Sequence, residues 1–154
     1  MDLSTNSLAE NLGVALSQRS AKVTAAESCT GGGVAHAITA VAGSSQWFDC
    51  GFVTYANSAK HRLLGVPEEL LVAQGAVSEA VVRAMVTGAA AIAKADYAVA
   101  ISGIAGPGGG TDDKPVGTVW FAWHSPDGVS AKRYLFAGDR TAVREQAIKI
   151  SLQE

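Results

Sequence analysis

The chain has few cysteines and no long apolar run. Its 154 residues include two cysteines, Cys29 and Cys50, whose spacing fits no metal site and whose number is too small for a disulfide framework. No stretch reaches the roughly 20 apolar residues that a membrane span needs. Residues 1–18 carry acids and lack the apolar segment of a signal peptide. We therefore predict a protein of a reducing compartment, the cytoplasm, with no membrane partner.

Basic charge is equally scarce. Lysine and arginine together number 12 against 14 acidic residues, which gives a net charge of −2. A dedicated nucleic-acid binder usually carries a basic patch, so we predict no nucleic-acid partner. Glu27, Asp49 and Asp139 form no metal constellation with a histidine, so we also predict no metal and no cofactor. A small anionic ligand remains compatible, because one or two arginines and backbone amides can hold it.

The chain is instead rich in apolar residues. They make up 48% of the sequence and the mean hydropathy is +0.19, which at this length favours one compact domain over residues 1–154. Hydrophobic spacing predicts the order of helices and strands. The first half is predicted to hold a helix over 4–18, a strand over 22–27, a helix over 30–41, a strand over 47–55 and short helices ending at Gly65 and Val72.

The second half completes the pattern of an α/β fold. The predicted elements are a long helix over 78–94, a strand over 97–102, a glycine-rich loop over 103–115, a hairpin with strands over 117–123 and 129–136, and a last helix from Gly138. Two early β-then-α units with mostly apolar strands are typical of a layered α/β domain. The hairpin pairs antiparallel strands, so we expect a mixed sheet.

A serine lies at the junction of the first strand and the helix after it. Residues 23–26 are apolar and β-rich, Ser28 follows, and Gly31 to Gly33 lead into the helix. Backbone N–H groups at a helix N-terminus lack partners. The turn therefore suits a serine nucleophile with an oxyanion site, or a phosphate cradle, or an ordinary helix cap made by Ser28 or Thr30. The residues alone leave these three interpretations open.

A serine nucleophile needs a base, because its hydroxyl is scarcely ionised at neutral pH. The three histidines are poorly placed for that role, and the Gly-x-Ser-x-Gly pattern of a nucleophile elbow is missing. A lysine in a low-dielectric site has a lowered pKa and can accept a proton. Lys60 follows the strand that ends at Tyr55, so Ser28, Tyr55 and Lys60 meet if the two strands are parallel neighbours. Otherwise Tyr55 is an ordinary strand aromatic and Lys60 a solvated helix residue.

Two further stretches are candidates for ligand binding. Residues 102–111, from Ser102 through Gly106, form a glycine-rich loop directly after a buried strand, where backbone can approach a ligand closely. The loop matches neither a Walker A motif nor a dinucleotide fingerprint, and a flexible connector is the alternative. Arg140 and Arg144 lie one turn apart at the start of a helix, where the dipole favours anions. Arginines there are sensible if they reach a phosphate, and the alternative is a surface pair.

Several motifs together resemble the CinA C-terminal domain family, and the resemblance covers nearly the whole chain. They are Ala26-Glu27-Ser28-Cys29-Thr30-Gly31-Gly32, Gly51-Phe52-Val53-Thr54-Tyr55-Ala56-Asn57, Gly75-Ala76-Val77-Ser78, Ser102-Gly103-Ile104-Ala105-Gly106-Pro107, Lys114-Pro115-Val116-Gly117-Thr118-Val119 and Gly138-Asp139-Arg140. Several motifs in the right order are far more specific than any one of them. The resemblance implies a three-layer α/β/α domain with a mixed, mostly parallel sheet.

The resemblance also implies an activity, hydrolysis of the carboxamide of nicotinamide mononucleotide to nicotinate mononucleotide and ammonia in pyridine-nucleotide recycling. In that family a serine, a lysine and a tyrosine are the proposed catalytic set, which carries over to Ser28, Lys60 and Tyr55. The alternatives are a non-enzymatic nucleotide-binding module and an amidase for a different small amide. Cys29, next to Ser28, is the alternative nucleophile.

Binding roles complete the hypothesis. We expect the backbone around Cys29, Thr30 and Gly31 to stabilise the oxyanion, and Ser102 to contact substrate. The expected ligands of the 5′-phosphate are Arg140, Arg144 and the amides of Gly106 to Gly110. The aromatic pair Trp47 and Phe48 looks exposed and lies close to the expected site, so we expect a homodimer.

Overall fold

The computed structural model describes residues 4–153 and contains six α-helices and five β-strands within that range. In chain order they are α1 (Thr5–Arg19), β1 (Val23–Glu27), α2 (Gly33–Thr39), β2 (Phe52–Val53), α3 (Asn57–Leu64), α4 (Glu68–Gln74), α5 (Glu79–Ala93), β3 (Tyr97–Gly103), β4 (Thr118–Ser125), β5 (Gly128–Leu135) and α6 (Arg140–Gln153). A short 3-10 helix over Ser44–Gln46 lies between α2 and β2.

The five strands form one sheet in the order β2-β1-β3-β4-β5. β1 pairs in parallel with both β2 and β3, whereas β4 is antiparallel to β3 and to β5. β1, β2, β3 and β5 therefore run in one direction and β4 runs in the other, which confirms the predicted mixed, mostly parallel sheet. The carboxyl ends of β1, β2 and β3 meet at one edge, where ligands bind in open α/β sheets.

Helices cover both faces of the sheet, and the three-layer prediction is confirmed. Along β3, Val99 and Ile101 belong to the core beneath α1, α2 and α6. Ala98 and Ala100 point to the opposite face and belong to the core beneath α5, since successive side chains of a strand alternate between faces. Small alanines on that side allow α5 to pack closely on the sheet.

Helix α3 is held by an unusually close approach to α5. A Cβ atom on Gly88 of α5 would lie 2.0 Å from the backbone oxygen of Leu64, the last residue of α3. Gly65 then ends α3 in the left-handed conformation, with φ 74°. The absence of a side chain at Gly88 thus lets α3, which carries Lys60, lie directly against α5.

Two predicted elements are shorter than expected. The strand predicted over 47–55 is a strand only at Phe52–Val53, because Trp47 turns inward, is 8% exposed and packs against Gly13 of α1. Phe48, which makes an isolated bridge to Val23, is half-buried. The expectation that Trp47 and Phe48 form an exposed aromatic pair was therefore wrong. The helix predicted from Thr30 begins at Gly33.

Candidate active site

Ser28 lies in the turn that joins β1 to α2. Its N–H donates to the carbonyl of Ile101 at 3.0 Å, which extends the β1–β3 pairing by one residue. Gly31 and Gly32 then adopt positive φ angles of 59° and 101°, a conformation that favours glycine. Two glycines thus let the chain turn before α2 begins, and Ser28 stays outside the helix.

The cap of α2 is made by Glu27, a role the sequence analysis missed. Its buried carboxylate accepts hydrogen bonds from the N–H groups of Val34 and Ala35, both at 2.9 Å. The residue at the helix boundary, Gly32, has no side chain to contribute. The interpretation of Ser28 or Thr30 as the helix cap is therefore wrong, and the carboxylate occupies the position in which an anion would meet the dipole of α2.

Lys60 reaches Ser28 from α3. Its Nζ donates to Ser28 Oγ at 3.0 Å and to the carbonyls of Thr54 and Tyr55 at 2.9 and 3.1 Å. The residue is 1% exposed, and burial lowers the pKa of Lys60 from 10.5 to about 8. A lysine with a pKa near 8 has a substantial neutral fraction near physiological pH, and only the neutral amine accepts a proton from serine.

Tyr55 touches this pair through its backbone rather than its hydroxyl. The side chain is 60% exposed, and its hydroxyl accepts a hydrogen bond from Arg140 Nη2 at 3.0 Å. Arg140 also donates through Nη1 to the carbonyl of Gly106 at 2.8 Å. Arg140 therefore ties the loop after β2 to the glycine-rich loop.

A cavity of about 210 Å³ opens beside Ser28 and Lys60. Six of the predicted site residues line it: Ser28, Cys29, Tyr55, Lys60, Ser102 and Arg140. Five other residues also line it: Asn57, Ala76, Val77, Gly103 and Ala105. Asn57, Ala76 and Val77 lie in motifs on which the family resemblance rests, and those motifs were the sequence signal that could have identified them as site residues. Their residue types alone indicated no chemical role.

Within residues 4–153, four predicted site residues do not line this cavity: Thr30, Gly31, Gly106 and Arg144. The Gly31 N–H donates to the carbonyl of Ser28 at 3.0 Å, so this contact does not favour the predicted role of Gly31 at the oxyanion. The N–H groups of Cys29 and Thr30 donate to no backbone carbonyl within the described range. They remain the candidate oxyanion donors of this turn.

Arg144 is directed at the protein backbone. It donates through Nε to the carbonyl of Cys29 at 3.0 Å and through Nη2 to the carbonyl of Thr30 at 3.2 Å. The predicted role of Arg144 as a phosphate ligand at this cavity is therefore not supported by its position. Arg140 lines the cavity and is therefore the candidate ligand of a phosphate there.

Cys29 is a poor nucleophile in this setting. Its side chain is 5% exposed, and burial raises the pKa of the Cys29 thiol from 9.0 to about 11. The thiolate is the reactive form, so the thiol is inert near neutral pH. The arrangement favours Ser28 over its neighbour.

Comparison with known proteins decides the family. The model of the CinA C-terminal domain matches residues 5–154. The chain belongs to the CinA C-terminal domain family. It is 58% identical over 147 residues to the nicotinamide-nucleotide amidohydrolase PncC of Escherichia coli strain K12, covering 95% of this chain and 89% of that protein. The PncC of Pseudomonas putida is 57% identical over 145 residues, covering 94% of this chain and 91% of the relative.

Solved structures of CinA proteins have the same fold. The competence damage-inducible protein A from Klebsiella pneumoniae subsp. pneumoniae MGH 78578 superposes with a TM-score of 0.94 at 44% identity, covering 97% of this chain and 93% of that one. A competence/damage inducible protein from Agrobacterium tumefaciens gives a TM-score of 0.95 at 40% identity, covering 99% and 96%. The sheet edge that holds Ser28 and Lys60 thus belongs to a fold shared across the CinA C-terminal domain.

Membrane spans and metal clusters can be considered for the part of the chain that the structure describes. Within residues 4–153, no helix has the length and apolar character needed to cross a bilayer. In the same range, no three side chains of the His, Cys, Asp and Glu types are grouped so that they would hold a metal ion.

Proposed function

We propose that this CinA C-terminal domain is a nicotinamide-nucleotide amidohydrolase that converts nicotinamide mononucleotide to nicotinate mononucleotide and ammonia. The single observation that carries the mechanism is the buried 3.0 Å contact between Lys60 Nζ and Ser28 Oγ. The substrate is supported by two relatives named nicotinamide-nucleotide amidohydrolase, which are 57% and 58% identical to this chain over nearly its whole length.

The reaction begins with Ser28 and Lys60. Neutral Lys60 accepts the hydroxyl proton while Ser28 Oγ attacks the carboxamide carbon, which forms a tetrahedral intermediate. Its oxyanion is stabilised by the N–H groups of Cys29 and Thr30, and one such donor is worth roughly 3–4 kcal/mol in a comparable hydrolase. The C–N bond then breaks, and the nitrogen leaves as ammonia after it has taken up a proton.

The proposal assigns that proton to the Lys60 ammonium, with the Tyr55 hydroxyl as the relay at the mouth of the cavity. Arg140 supports this role, because its Nη2 donates a hydrogen bond to the Tyr55 hydroxyl at 3.0 Å and so orients that hydroxyl at the cavity. Water then enters, Lys60 activates it, and the acyl-serine is hydrolysed to the carboxylate. Arg140 is the proposed partner of the substrate's 5′-phosphate, since it is the arginine that lines the cavity.

Ammonia release from nicotinamide mononucleotide tests this function directly. We expect turnover by the wild type and none above background by Ser28→Ala, with binding of the nucleotide retained. Ser125→Ala is the matched control, because Ser125 ends β4 and lies outside the cavity. Binding without ammonia release by the wild type would indicate a nucleotide-binding module. Release from another small amide but not from the nucleotide would indicate a different amidase.

The wider setting is part of the same proposal. We propose one catalytic domain that acts in the cytoplasm, where an exposed thiol such as that of Cys50 stays reduced. We also propose a homodimer, now based on the exposed apolar side chains at the sheet edge, Val53 and Tyr55, since Trp47 is buried. A solution mass of one chain at working concentration would contradict the dimer.

A further inference from the structure

Arg144 connects the last helix to the nucleophile turn. It lies in α6, 115 residues beyond Cys29 in the chain. Its guanidinium donates hydrogen bonds to two successive carbonyls, those of Cys29 and Thr30, at 3.0 and 3.2 Å. Gly31 makes room for the guanidinium, because a Cβ atom there would lie 3.1 Å from Arg144 Nη2. The sequence suggested a phosphate ligand, whereas these contacts are made to the protein's own backbone.

Because peptide groups are planar, these two hydrogen bonds also fix the directions of N–H groups in the turn. A trans peptide is planar, so its C=O and N–H groups point in opposite directions. The contact to the Cys29 carbonyl therefore fixes the direction of the Thr30 N–H, and the contact to the Thr30 carbonyl fixes that of the Gly31 N–H. The Gly31 N–H in turn donates to the Ser28 carbonyl at 3.0 Å, which fixes the direction of the Cys29 N–H.

Three successive peptide groups are thus held in place. Arg144 alone contacts the Cys29 carbonyl, it shares the Thr30 carbonyl with the Gly33 N–H, and the Gly31 N–H holds the Ser28 carbonyl. Two of these peptide groups carry the N–H groups of Cys29 and Thr30, which donate to no backbone carbonyl within residues 4–153. A hydrogen bond from a cationic group also polarises the peptide it contacts and strengthens the N–H as a donor. The guanidinium fork suits this task, since its rigid donors match two fixed acceptors, whereas a lysine ammonium is a single point charge.

We propose that Arg144 is a positioning residue that holds the oxyanion donors of the Ser28 turn in place, rather than a ligand of the substrate phosphate. The inference rests on the proposed serine hydrolase chemistry, but it concerns this turn and does not depend on the identity of the amide. Arg140, which faces the cavity, and Arg144, which faces the backbone, thereby have separate tasks.

Steady-state kinetics of Arg144→Met and Arg144→Lys form the first test. Disordered oxyanion donors lower the rate of the chemical step, so we expect kcat of Arg144→Met to fall by about 10²-fold and KM to change by less than about threefold. Arg144→Lys keeps the charge and one contact and is expected to be intermediate. Arg133→Met, an exposed arginine on β5, is the control. A large rise in KM with unchanged kcat would indicate a phosphate ligand and overturn the proposal.

A boronic acid separates this proposal from the proposed function. Pyridine-3-boronic acid accepts Ser28 Oγ at boron to give a tetrahedral anion, and the serine proton passes to Lys60. We expect its affinity to drop in Arg144→Met by the same factor as kcat, while nicotinamide, a planar probe, binds both proteins equally. Equal boronate affinity in wild type and Arg144→Met, or no dependence on Ser28, would overturn the inference. If nicotinamide mononucleotide is not hydrolysed but the boronate result holds, the substrate assignment fails and the role of Arg144 stands.

Folding is controlled within the same set of variants. Thermal unfolding of Arg144→Met and Arg144→Lys is compared with that of the wild type, and kinetics are measured well below the lowest midpoint. If Arg144→Met does not fold, Arg144→Lys carries the test through its kcat and its boronate affinity. A Lys variant that matches the wild type in both would also overturn the proposal, because its single nitrogen lacks the rigid, planar pair of donors with which the guanidinium meets the two carbonyls.

Discussion

Lys60 Nζ lies 3.0 Å from Ser28 Oγ, although the two residues are on different elements and 32 positions apart in the chain. The contact exists because β1 and β2 are parallel neighbours, so the residues that follow them emerge at the same sheet edge. Gly88 then allows α3 to pack tightly enough on α5 to bring the Lys60 side chain into the core. The pair is therefore a product of strand order and helix packing together.

Substitution of Lys60 tests its role as a base. We expect Lys60→Met to lose at least about 10³-fold in kcat/KM, within the range of general-base and nucleophile effects. Lys60→Arg should be equally inactive, because a guanidinium stays protonated at any working pH. Lys132→Met, at an exposed position of β5, is the control. Substantial activity in Lys60→Arg would show that a neutral amine is not needed.

The pH profile follows from the pKa of Lys60. The base must be neutral, and burial lowers its pKa to about 8, so kcat/KM should rise with pH through about 8 and level off above it. The dependence of kcat/KM on pH reports groups of the free enzyme, which makes it the quantity to measure. A profile that is flat between pH 6.5 and 9 would contradict this assignment.

The same pKa shift links stability to pH. The folded-state pKa of about 8 lies below the ordinary lysine pKa of 10.5, so between these values the unfolded chain binds more protons at Lys60 than the folded one. The free energy of unfolding should therefore rise as pH increases from about 8 to 10.5, by up to about 3 kcal/mol from this group. Urea unfolding of wild type and Lys60→Met across this window isolates the effect, which should be absent in the variant.

Much of this site could be predicted from the sequence. Ser28, Tyr55 and Lys60 stand at strand ends and helix starts. These local signals, together with the family motifs, were enough to predict that the three residues lie close together. The roles of Glu27 and Arg144 could not be predicted in this way. Glu27 lies inside an apolar strand pattern and its partners are backbone N–H groups, while Arg144 contacts carbonyls 114 and 115 residues away. Both residues contact backbone groups, and the sequence does not show which backbone group a side chain will contact.

The strand predicted over 47–55 failed for a related reason. Its apolar, β-rich composition is shared by strands and by buried irregular chain, and periodicity does not separate the two. The Trp47 ring packs against Gly13 of α1. The packing of a large aromatic ring outweighs strand propensity. The choice depends on a contact between distant segments, which local spacing does not contain.

Glu27 offers a test of the turn itself. Its carboxylate is buried and accepts two hydrogen bonds, each of which contributes about 1.5–3 kcal/mol when the acceptor is charged. We expect Glu27→Gln to lower the free energy of unfolding by about 2–4 kcal/mol, since the amide turns a donor toward one N–H group. Glu69→Gln, at an exposed position in the first turn of α4, should change it by less than about 0.5 kcal/mol. Equal effects of the two changes on urea unfolding would contradict the buried cap.

Gly88→Ala tests whether the packing of α3 on α5 places the base. The added Cβ would lie 2.0 Å from the Leu64 carbonyl oxygen, which is backbone and cannot rotate away, so α3 must shift outward. We expect a loss of about 1–3 kcal/mol in stability, as for other overpacked sites, and a lower kcat at temperatures where the variant is fully folded, because Lys60 moves with α3. Gly108→Ala is the control for stability alone, since nothing lies within 4 Å of a Cβ at that position. If Gly88→Ala is destabilised but keeps full kcat, the 3.0 Å contact of Lys60 with Ser28 does not depend on this packing.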